Sequence, residues 1–394
     1  MKLKRKTFFL DQGEFLGGGE RFLIDFLQSL NDSEIRKIFP ILVGAKSPIY
    51  KKFLLDEETN ESLVKILDFK FPQVRGNIFI KFLKIFELFA AAKRLNVLVK
   101  QEQVIQFFSN TPRTHLVMFL SKMVFRTKGR WICFFHDFTL RPKFLLQWVC
   151  NRADVLVANA LPTRNFLREN ISKKNFRKIR IVENGINFET VLAACVPEKI
   201  KKVLILGRLD PQKGQMFALR VARIFLNKNS QVKFSVVGSS VLKDKRTVEY
   251  EQQLKNFTQE HRLENVNFMS EVKNPFIEIQ KYDVLLVLPT EPETFGRIVI
   301  EALALGKLVL SFDETGPREI LKNFYQFLGQ KDIYLEQNPF LVKSCNAIEL
   351  AEKLEFFVKN PESVHQVCSY GREFVEKNYP LSETKKRLLA ILSE

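Results

Sequence analysis

The sequence predicts an α/β protein of two doubly wound domains, each a parallel sheet covered by helices, facing each other across a cleft. Three observations predict it. The chain has 394 residues, more than one ordinary core holds, and 46% of them are hydrophobic. Short apolar runs alternate with amphipathic helical stretches from end to end, which is the βαβ pattern of parallel sheets. Several of the apolar runs are unbroken Val, Ile, Leu and Phe, as strands covered on both faces require.

In order, the first half offers strands at KTFFL (6–10), FPILVG (39–44), a stretch near NVLV (96–99), WICFFH (131–136), DVLVAN (154–159) and IRIVEN (179–184). The second half offers KVLILG (202–207), VKFSVVG (232–238), NVNFM (265–269), DVLLVLP (283–289) and KLVLSF (307–312). The segment VLAACVPEKI (191–200) reads as the joint between the two sheets, so the domains are placed at 1–190 and 196–377. No repeat, low-complexity tract or long structureless loop interrupts the pattern.

Composition narrows the function classes. No run of 18 apolar residues is present, so nothing reads as a membrane span, and the apolar run after the basic start is too short for a signal-peptide core. Five scattered Cys without a C-x-x-C pair suit a reducing, cytoplasmic setting. Four isolated His show no metal-ligand spacing. The net charge of +18 is uneven: residues 1–190 carry 33 Lys and Arg against 18 Asp and Glu, the remainder 29 against 26. A basic half fits an anionic partner, whether nucleic acid, a phospholipid surface or a phosphorylated substrate; a plain lysine bias is the alternative.

The motifs follow the strands, where open parallel sheets bind ligands. After KTFFL, Gly17, Gly18 and Gly19 lead into a helix from Glu20. This is not G-x-G-x-x-G, so a nicotinamide cofactor is poorly supported, but glycines here let backbone N–H groups approach an anion. After KVLILG, GRLDPQKG sets Arg208 and Lys213 five residues apart at the mouth of a strand, suited to a fork on one phosphate and a point charge on the next. After DVLLVLP, TEPETFGRIVIEALALG reads as loop, turn and helix. Gly296 would open the helix with unpaired N–H groups for a phosphate. Glu293 precedes that turn, either as a helix cap or as an acceptor for a sugar hydroxyl. Glu301, inside the apolar helix, is placed to accept from a vicinal diol.

The set GGGERF, GRLDPQKG, EPETFGRIVIEA and DETGPREI resembles the retaining glycosyltransferases of family 4, which have the GT-B fold of two Rossmann-like domains. FFHDF (134–138), DVLVANA (154–160) and VENGIN (182–187) extend the resemblance over nearly the whole chain. It implies transfer of a sugar from a nucleotide-sugar donor with retention and without a metal or cofactor, the donor being a nucleotide-diphosphate sugar. The second domain would hold the donor and the first the acceptor, a glycan or lipid-linked molecule of cell-surface polysaccharide or glycolipid synthesis. The last segment, 378–394, would cross back to the first domain. By position, Arg208 and Lys213 would bind the diphosphate, Glu301 the ribose and Glu293 the transferred sugar. The amides of Phe295 and Gly296 would face phosphate and sugar, Gly18 and Gly19 would close over the donor, and His136 would lie near the reacting carbon.

Departures from the family pattern occur at Glu183, Asn187, Ser239, Ser240 and Leu308, and DETGPREI has one glycine where two are common. None removes a charge that the reaction needs. The competing readings are a nucleotide-sugar epimerase on the same fold and a basic polyanion-binding protein without catalysis; nucleic acid is not the expected partner. One further helix stands out. Ile78–Arg94 places Phe79, Phe82, Phe86 and Phe89 on one side and Lys81, Lys84 and Glu87 on the other. It reads either as a core helix or as one lying on an anionic membrane, helped by Lys122, Arg126, Lys128, Arg130 and the cations of 173–180.

Overall fold

The computed structural model describes residues 6–12, 17–44, 65–72, 78–138, 140, 142–228, 230–240, 245–272, 274–333, 335 and 337–394, with side chains of the 78–102 helix described from Lys84 onward. The chain divides into two compact units: Met1–Gly185 with Leu381–Glu394, and Ile186–Pro380.

Among the described residues, unit 1 is built on seven parallel strands: β1 (Thr7–Leu10), β2 (Pro40–Gly44), β3 (Lys65–Asp68), β4 (Gln106–Ser109), β5 (Arg130–Phe135), β6 (Val155–Ala158) and β7 (Ile179–Ile181). Their order is β3-β2-β1-β4-β5-β6-β7, so the winding reverses between β1 and β4. Alternate residues feed opposite faces. Phe8, Phe107, Trp131 and Cys133 pack on one side, and Phe9, Phe108, Ile132 and Phe134 on the other, which is where many of the 38 Phe go.

Two sequence expectations need correction here. NVLV is not a strand; it lies within the helix Ile78–Glu102, which has no Gly or Pro to break it. An apolar run of four reads alike in either period, and here Leu95 and Val99 take the helical one, facing the core with Leu88, Ala91 and Ala92. Asn96 is buried on this helix and accepts from Thr127 Oγ1 at 2.9 Å. The fourth strand is Gln106–Ser109. The core also bypasses the described part of the phenylalanine stripe: Phe86 and Phe89 are 60% and 39% exposed, while Phe79, Lys81 and Phe82 lie outside the described side chains.

The C-terminal helix Leu381–Ser393 belongs to unit 1 by packing. Leu388, Ile391 and Leu392 join the core beneath helix Gly18–Gln28, each such burial contributing roughly 1.5–3 kcal/mol. Polar ties fix its register: Thr384 Oγ1 donates to the Glu183 carbonyl at 2.8 Å, and Lys385 Nζ to the Ser29 carbonyl at 2.8 Å. Arg130 reaches the Ile391 carbonyl and Glu394.

Unit 2 repeats the scheme with β8 (Lys202–Leu206), β9 (Lys233–Val237), β10 (Val266–Met269), β11 (Val284–Val287), β12 (Leu308–Phe312) and β13 (Leu341–Val342). The order β10-β9-β8-β11-β12-β13 is again parallel throughout and reverses between β8 and β11. The segment 191–200 is part of this unit. Cys195 N–H donates to the Leu305 carbonyl at 3.0 Å, and the buried Lys307 Nζ to the Cys195 carbonyl at 2.7 Å. Among the described residues no helix is long and apolar enough to cross a membrane.

Helix Gly18–Gln28 begins where Glu20 turns back to accept the Gly17 N–H at 3.0 Å, satisfying a donor that the first turn leaves unpaired. Burial first, and then the charge of Asp11, raise the Glu20 pKa from 4.5 to about 8. Between those values the folded protein keeps a proton that the unfolded chain releases, so this group's contribution to stability falls as pH rises. His115 and His136, both pushed from 6.5 down to about 3 by burial, act in the opposite direction below pH 6.5. The test is therefore a difference. Glu20→Gln keeps an acceptor for Gly17 and removes the titration. Urea-denaturation stability of the wild type relative to this variant should decline from pH 4.5 to 8 and then level off; a constant difference would show that Glu20 is ionised in the fold.

Candidate functional site

The winding reversal in unit 2 sets the loops after β8 and β11 side by side at the carboxyl edge. The first loop carries GRLDPQKG and the second TEPETFG, so the two motifs become neighbours although about eighty residues separate them. Backbone and side chains stitch them together. Thr290 N–H donates to the Gln212 carbonyl at 3.0 Å, and Thr290 Oγ1 to the Pro211 carbonyl at 3.0 Å. Gly214 allows the approach. Its φ is +66°, and a Cβ there would fall 2.0 Å from the Leu288 carbonyl oxygen, so no side chain fits.

Asp210 organises the first loop. Its carboxylate is 5% exposed and caps the short helical turn Pro211–Lys213 by accepting the Gln212 N–H at 3.1 Å. The same group accepts from Arg208 Nη2 at 3.2 Å and from Arg246 Nη2 at 2.8 Å. Arg208 is thus held in place, while its Nε–H is buried without an acceptor among the described residues. Arg246 comes from the start of helix Lys245–Glu260 and brings a third cation to this edge. Nothing in the sequence pointed to it, because contact with Asp210 arises only through the fold.

The second loop presents Glu293, Phe295 and Gly296. Glu293 Oε2 accepts from Lys213 Nζ at 3.0 Å, an ion pair open to solvent at both ends. The loop itself is clamped by the DETGPREI segment: Gly316 N–H donates to the Glu293 carbonyl at 2.8 Å, and Thr315 Oγ1 donates to the same oxygen. Phe295 is buried, its ring edge-on to Tyr379 at 5.8 Å. Gly296, at φ +83°, precedes helix Arg297–Ala304 and packs on Pro317. One turn on, Glu301 is 3% exposed and accepts from Arg297 Nε at 2.9 Å, so its carboxylate is buried and charge-paired, not solvated. Arg208, Lys213, Glu293, Phe295, Gly296 and Glu301 therefore all lie on the two loops at the reversal of unit 2 or on the helix that follows.

The remaining candidates, Gly18, Gly19 and His136, gather in unit 1, at its own reversal between β1 and β4. Gly18 is exposed in the first helical turn. Gly19 lies against the imidazole, a Cβ at that position falling 3.3 Å from His136 Cδ2. His136 follows β5, with its ring 4.0 Å from that of Phe134 and 5.3 Å from that of Phe22. Burial keeps it neutral, its pKa pushed down to about 3. Two buried residues that the sequence reading passed over complete the cluster, Asp11 and Asn110, each one residue beyond a strand end. A polar residue immediately after an apolar run was the signal available for Asp11; Asn110 follows the mixed strand QFFS and carried no such signal.

This geometry has counterparts. A glycosyltransferase of Haemophilus influenzae, described as uncharacterized, is 21% identical over 375 residues, covering 94% of this chain and 95% of its own. CapM of Staphylococcus aureus, a capsular polysaccharide biosynthesis glycosyltransferase, is 27% identical over 240 residues, 57% of each chain. Among solved structures, Anabaena HepE in complex with UDP and glucose superposes with a TM-score of 0.77 at 18% identity, covering 99% of this chain and all of its own. The two-sheet architecture is that of GT-B glycosyltransferases. Residues 194–374, which carry the loops on Asp210 and Glu293, match the family described as Glycosyl transferases group 1.

Proposed function

We propose that the protein transfers a hexose from a nucleotide-diphosphate sugar to a glycan or lipid-linked acceptor, with retention at the anomeric carbon and without a metal ion. The observation that carries this reading is the pair of loops at the reversal of unit 2. They bring Arg208, Lys213 and the opening turn of helix Arg297–Ala304 to one edge, with Glu293 paired to Lys213. A diphosphate is the natural occupant: it offers acceptors to the buried Arg208 Nε–H, to Lys213 and to the helix N–H groups. Glu293 then takes hydroxyls of the sugar, and Glu301, already fixed by Arg297, those of the ribose.

When the bond from the anomeric carbon to the phosphate oxygen breaks, the electron pair leaves with the diphosphate. Cations and dipoles already in place stabilise that charge without reorganising. The acceptor oxygen bonds to the same face of the carbon, and its proton passes to the departing phosphate. Support for a nucleotide-sugar donor comes from the family match over residues 194–374, and from the likeness to HepE, whose complexes contain UDP, glucose and UDP-glucose. Support for retention and metal independence is the resemblance and the want of any Asp-x-Asp pair in the sequence. Unit 1 is the acceptor side in this reading.

Incubation with a panel of nucleotide sugars in excess chelator should release nucleoside diphosphate, and the product should keep the donor's anomeric configuration by NMR. An inverted product, or activity that returns only with added metal, refutes the corresponding part. Lys213→Ala and Glu293→Ala should each lower turnover by on the order of 10²–10³ while the thermal transition persists. Either variant retaining near-wild-type turnover would misplace the site.

The acceptor's setting is the inner face of an anionic membrane. Phe86 and Phe89 are exposed on helix Ile78–Glu102, and Met123 and Val124 at the end of its neighbour Pro112–Val124, just before the exposed Arg126 and Lys128. Each cation near anionic lipid contributes roughly 1 kcal/mol. Sedimentation with anionic vesicles should fall with salt, and should fall when Arg126, Lys128, Lys173 and Lys174 become Gln or Phe86 becomes Ser. Equal binding to neutral vesicles, or none to anionic ones at low salt, would refute it.

A further inference from the structure

The reversal in unit 1 holds a hydrogen-bond chain that fixes which nitrogen of His136 carries the proton. Asn110, 1% exposed, stands at its centre. Its Nδ2 group faces two acceptors, Asp11 Oδ2 at 2.5 Å and the Gly19 carbonyl at 3.0 Å. Only the amide's NH₂ end can donate twice, and the reversed amide would set oxygen against carboxylate and carbonyl. The amide orientation is therefore settled by its neighbours. Its Oδ1 then lies 2.7 Å from His136 Nε2 and can only accept. Nε2 must carry the hydrogen, and Nδ1 is the ring's acceptor nitrogen.

We infer that Asn110 is a positioning residue, anchored by Asp11, which locks His136 in the Nε2–H tautomer and ties that ring to the Gly17–Gly19 turn as one rigid body. The link has a geometric consequence. One amide group holds the Gly19 carbonyl and the imidazole together, and Gly19 has no side chain to part them, since a Cβ would press on Cδ2 at 3.3 Å. The ring cannot rotate without breaking the Asn110 bond, and the turn cannot lift without breaking the other. Rings of Phe22 and Phe134 pack against the imidazole. Among the described residues, charged and titratable groups nearby include Asp11 just beyond β1, Glu20 on the first helix and His115 on helix Pro112–Val124, with Asp137 next in the chain. Burial, not these groups, keeps the imidazole neutral.

The catalytic consequence rests on the reading of His136 and the glycine turn as meeting the donor sugar; the lock itself does not. Two readouts keep them apart. In full-length protein labelled with ¹⁵N-histidine, His136 (assigned by its absence in His136→Ala) should show a single Nε2–H tautomer that does not titrate between pH 5 and 9. Asn110→Ala should give mixed tautomers. Asn110→Asp, nearly isosteric, removes both donors and sets a carboxylate beside Nε2, so His136 should begin to titrate. Asp11→Asn, which still offers Asn110 an oxygen, should keep the wild-type tautomer. In transfer assays Asn110→Ala should lower kcat by roughly 10- to 100-fold, the cost of a displaced group, with donor KM within a few-fold of wild type. An Nδ1–H tautomer in wild type, or an unchanged spectrum in folded Asn110→Ala and Asn110→Asp, overturns the lock. Mixed tautomers in Asn110→Ala with unchanged kcat overturn its part in turnover, whereas loss of transfer in every assay, wild type included, bears on the functional reading alone.

Discussion

A parallel strand gives up its carboxyl end to solvent only where its two neighbours leave in opposite directions, and each sheet of this protein has one such place. Between β1 and β4, and again between β8 and β11, the crossovers turn away to opposite sides and leave a pair of loops facing each other. The chemistry of the chain is distributed accordingly. Asp11, Asn110 and the glycine turn occupy one reversal, and Arg208, Lys213 and Glu293 the other. Neither loop of a pair is a site alone, and none of these residues is drawn near its partner by sequence proximity.

Crowding cations on one edge costs energy unless something holds them, and in unit 2 carboxylates of the same edge do so. Asp210 takes Arg208 and Arg246 while capping the turn that carries Lys213. Glu293 takes Lys213, and Glu301 takes Arg297. These pairs differ in consequence. Glu301 and its partner Arg297 are both largely buried, so removing Glu301 would strand a buried charge at a cost of about 3–5 kcal/mol, whereas Asp210 is buried but its partners Arg208 and Arg246 are part-exposed. The Lys213–Glu293 pair is part-exposed and worth little to the fold, at most about 1 kcal/mol. A weak pair between two strongly held groups is the one a ligand can enter without dismantling its frame.

Much of the fold was legible because a parallel sheet writes itself as buried strands between helices. Ten of the eleven strand expectations fall on strands, and the eleventh failed where the period was ambiguous: NVLV has four apolar or neutral residues and no neighbouring Gly or Pro to decide between helix and strand. The short strands Lys65–Asp68 and Leu341–Val342 escaped because an edge strand needs little apolar content. In the site, residues inside compact motifs were legible as types: Arg208, Lys213, Glu293 and Glu301 stand within glycine- and proline-punctuated stretches. Their partners were not. Arg246 reaches Asp210 across thirty-six residues, and Asn110 reaches Asp11 across ninety-nine, distances over which only the fold decides contact.

The positive surplus of the first half shows why a formal charge is a poor measure of what a surface presents. Several of its cations are spent on the protein's own carbonyls. Lys122 donates to Gly129, and Lys178 to the carbonyls of Cys150, Asn151 and Ala153, closing the end of helix Lys143–Arg152. Arg130 fastens the C-terminal helix, and Arg180 bonds within its own turn. Burial depresses the pKa of Lys122 and Lys178, as expected of ammonium groups drawn partly out of water to cap backbone. These residues would remain if the protein met no anion at all. The cations that would bear on the proposed membrane are exposed ones without such duties among the described residues, Arg126, Lys128, Lys173 and Lys174 among them, and the first two closely follow a helix whose last residues, Met123 and Val124, are apolar and exposed. It is this juxtaposition of exposed apolar side chains with exposed charge, not the total of +18, that would distinguish the proposed docking face from a merely basic one.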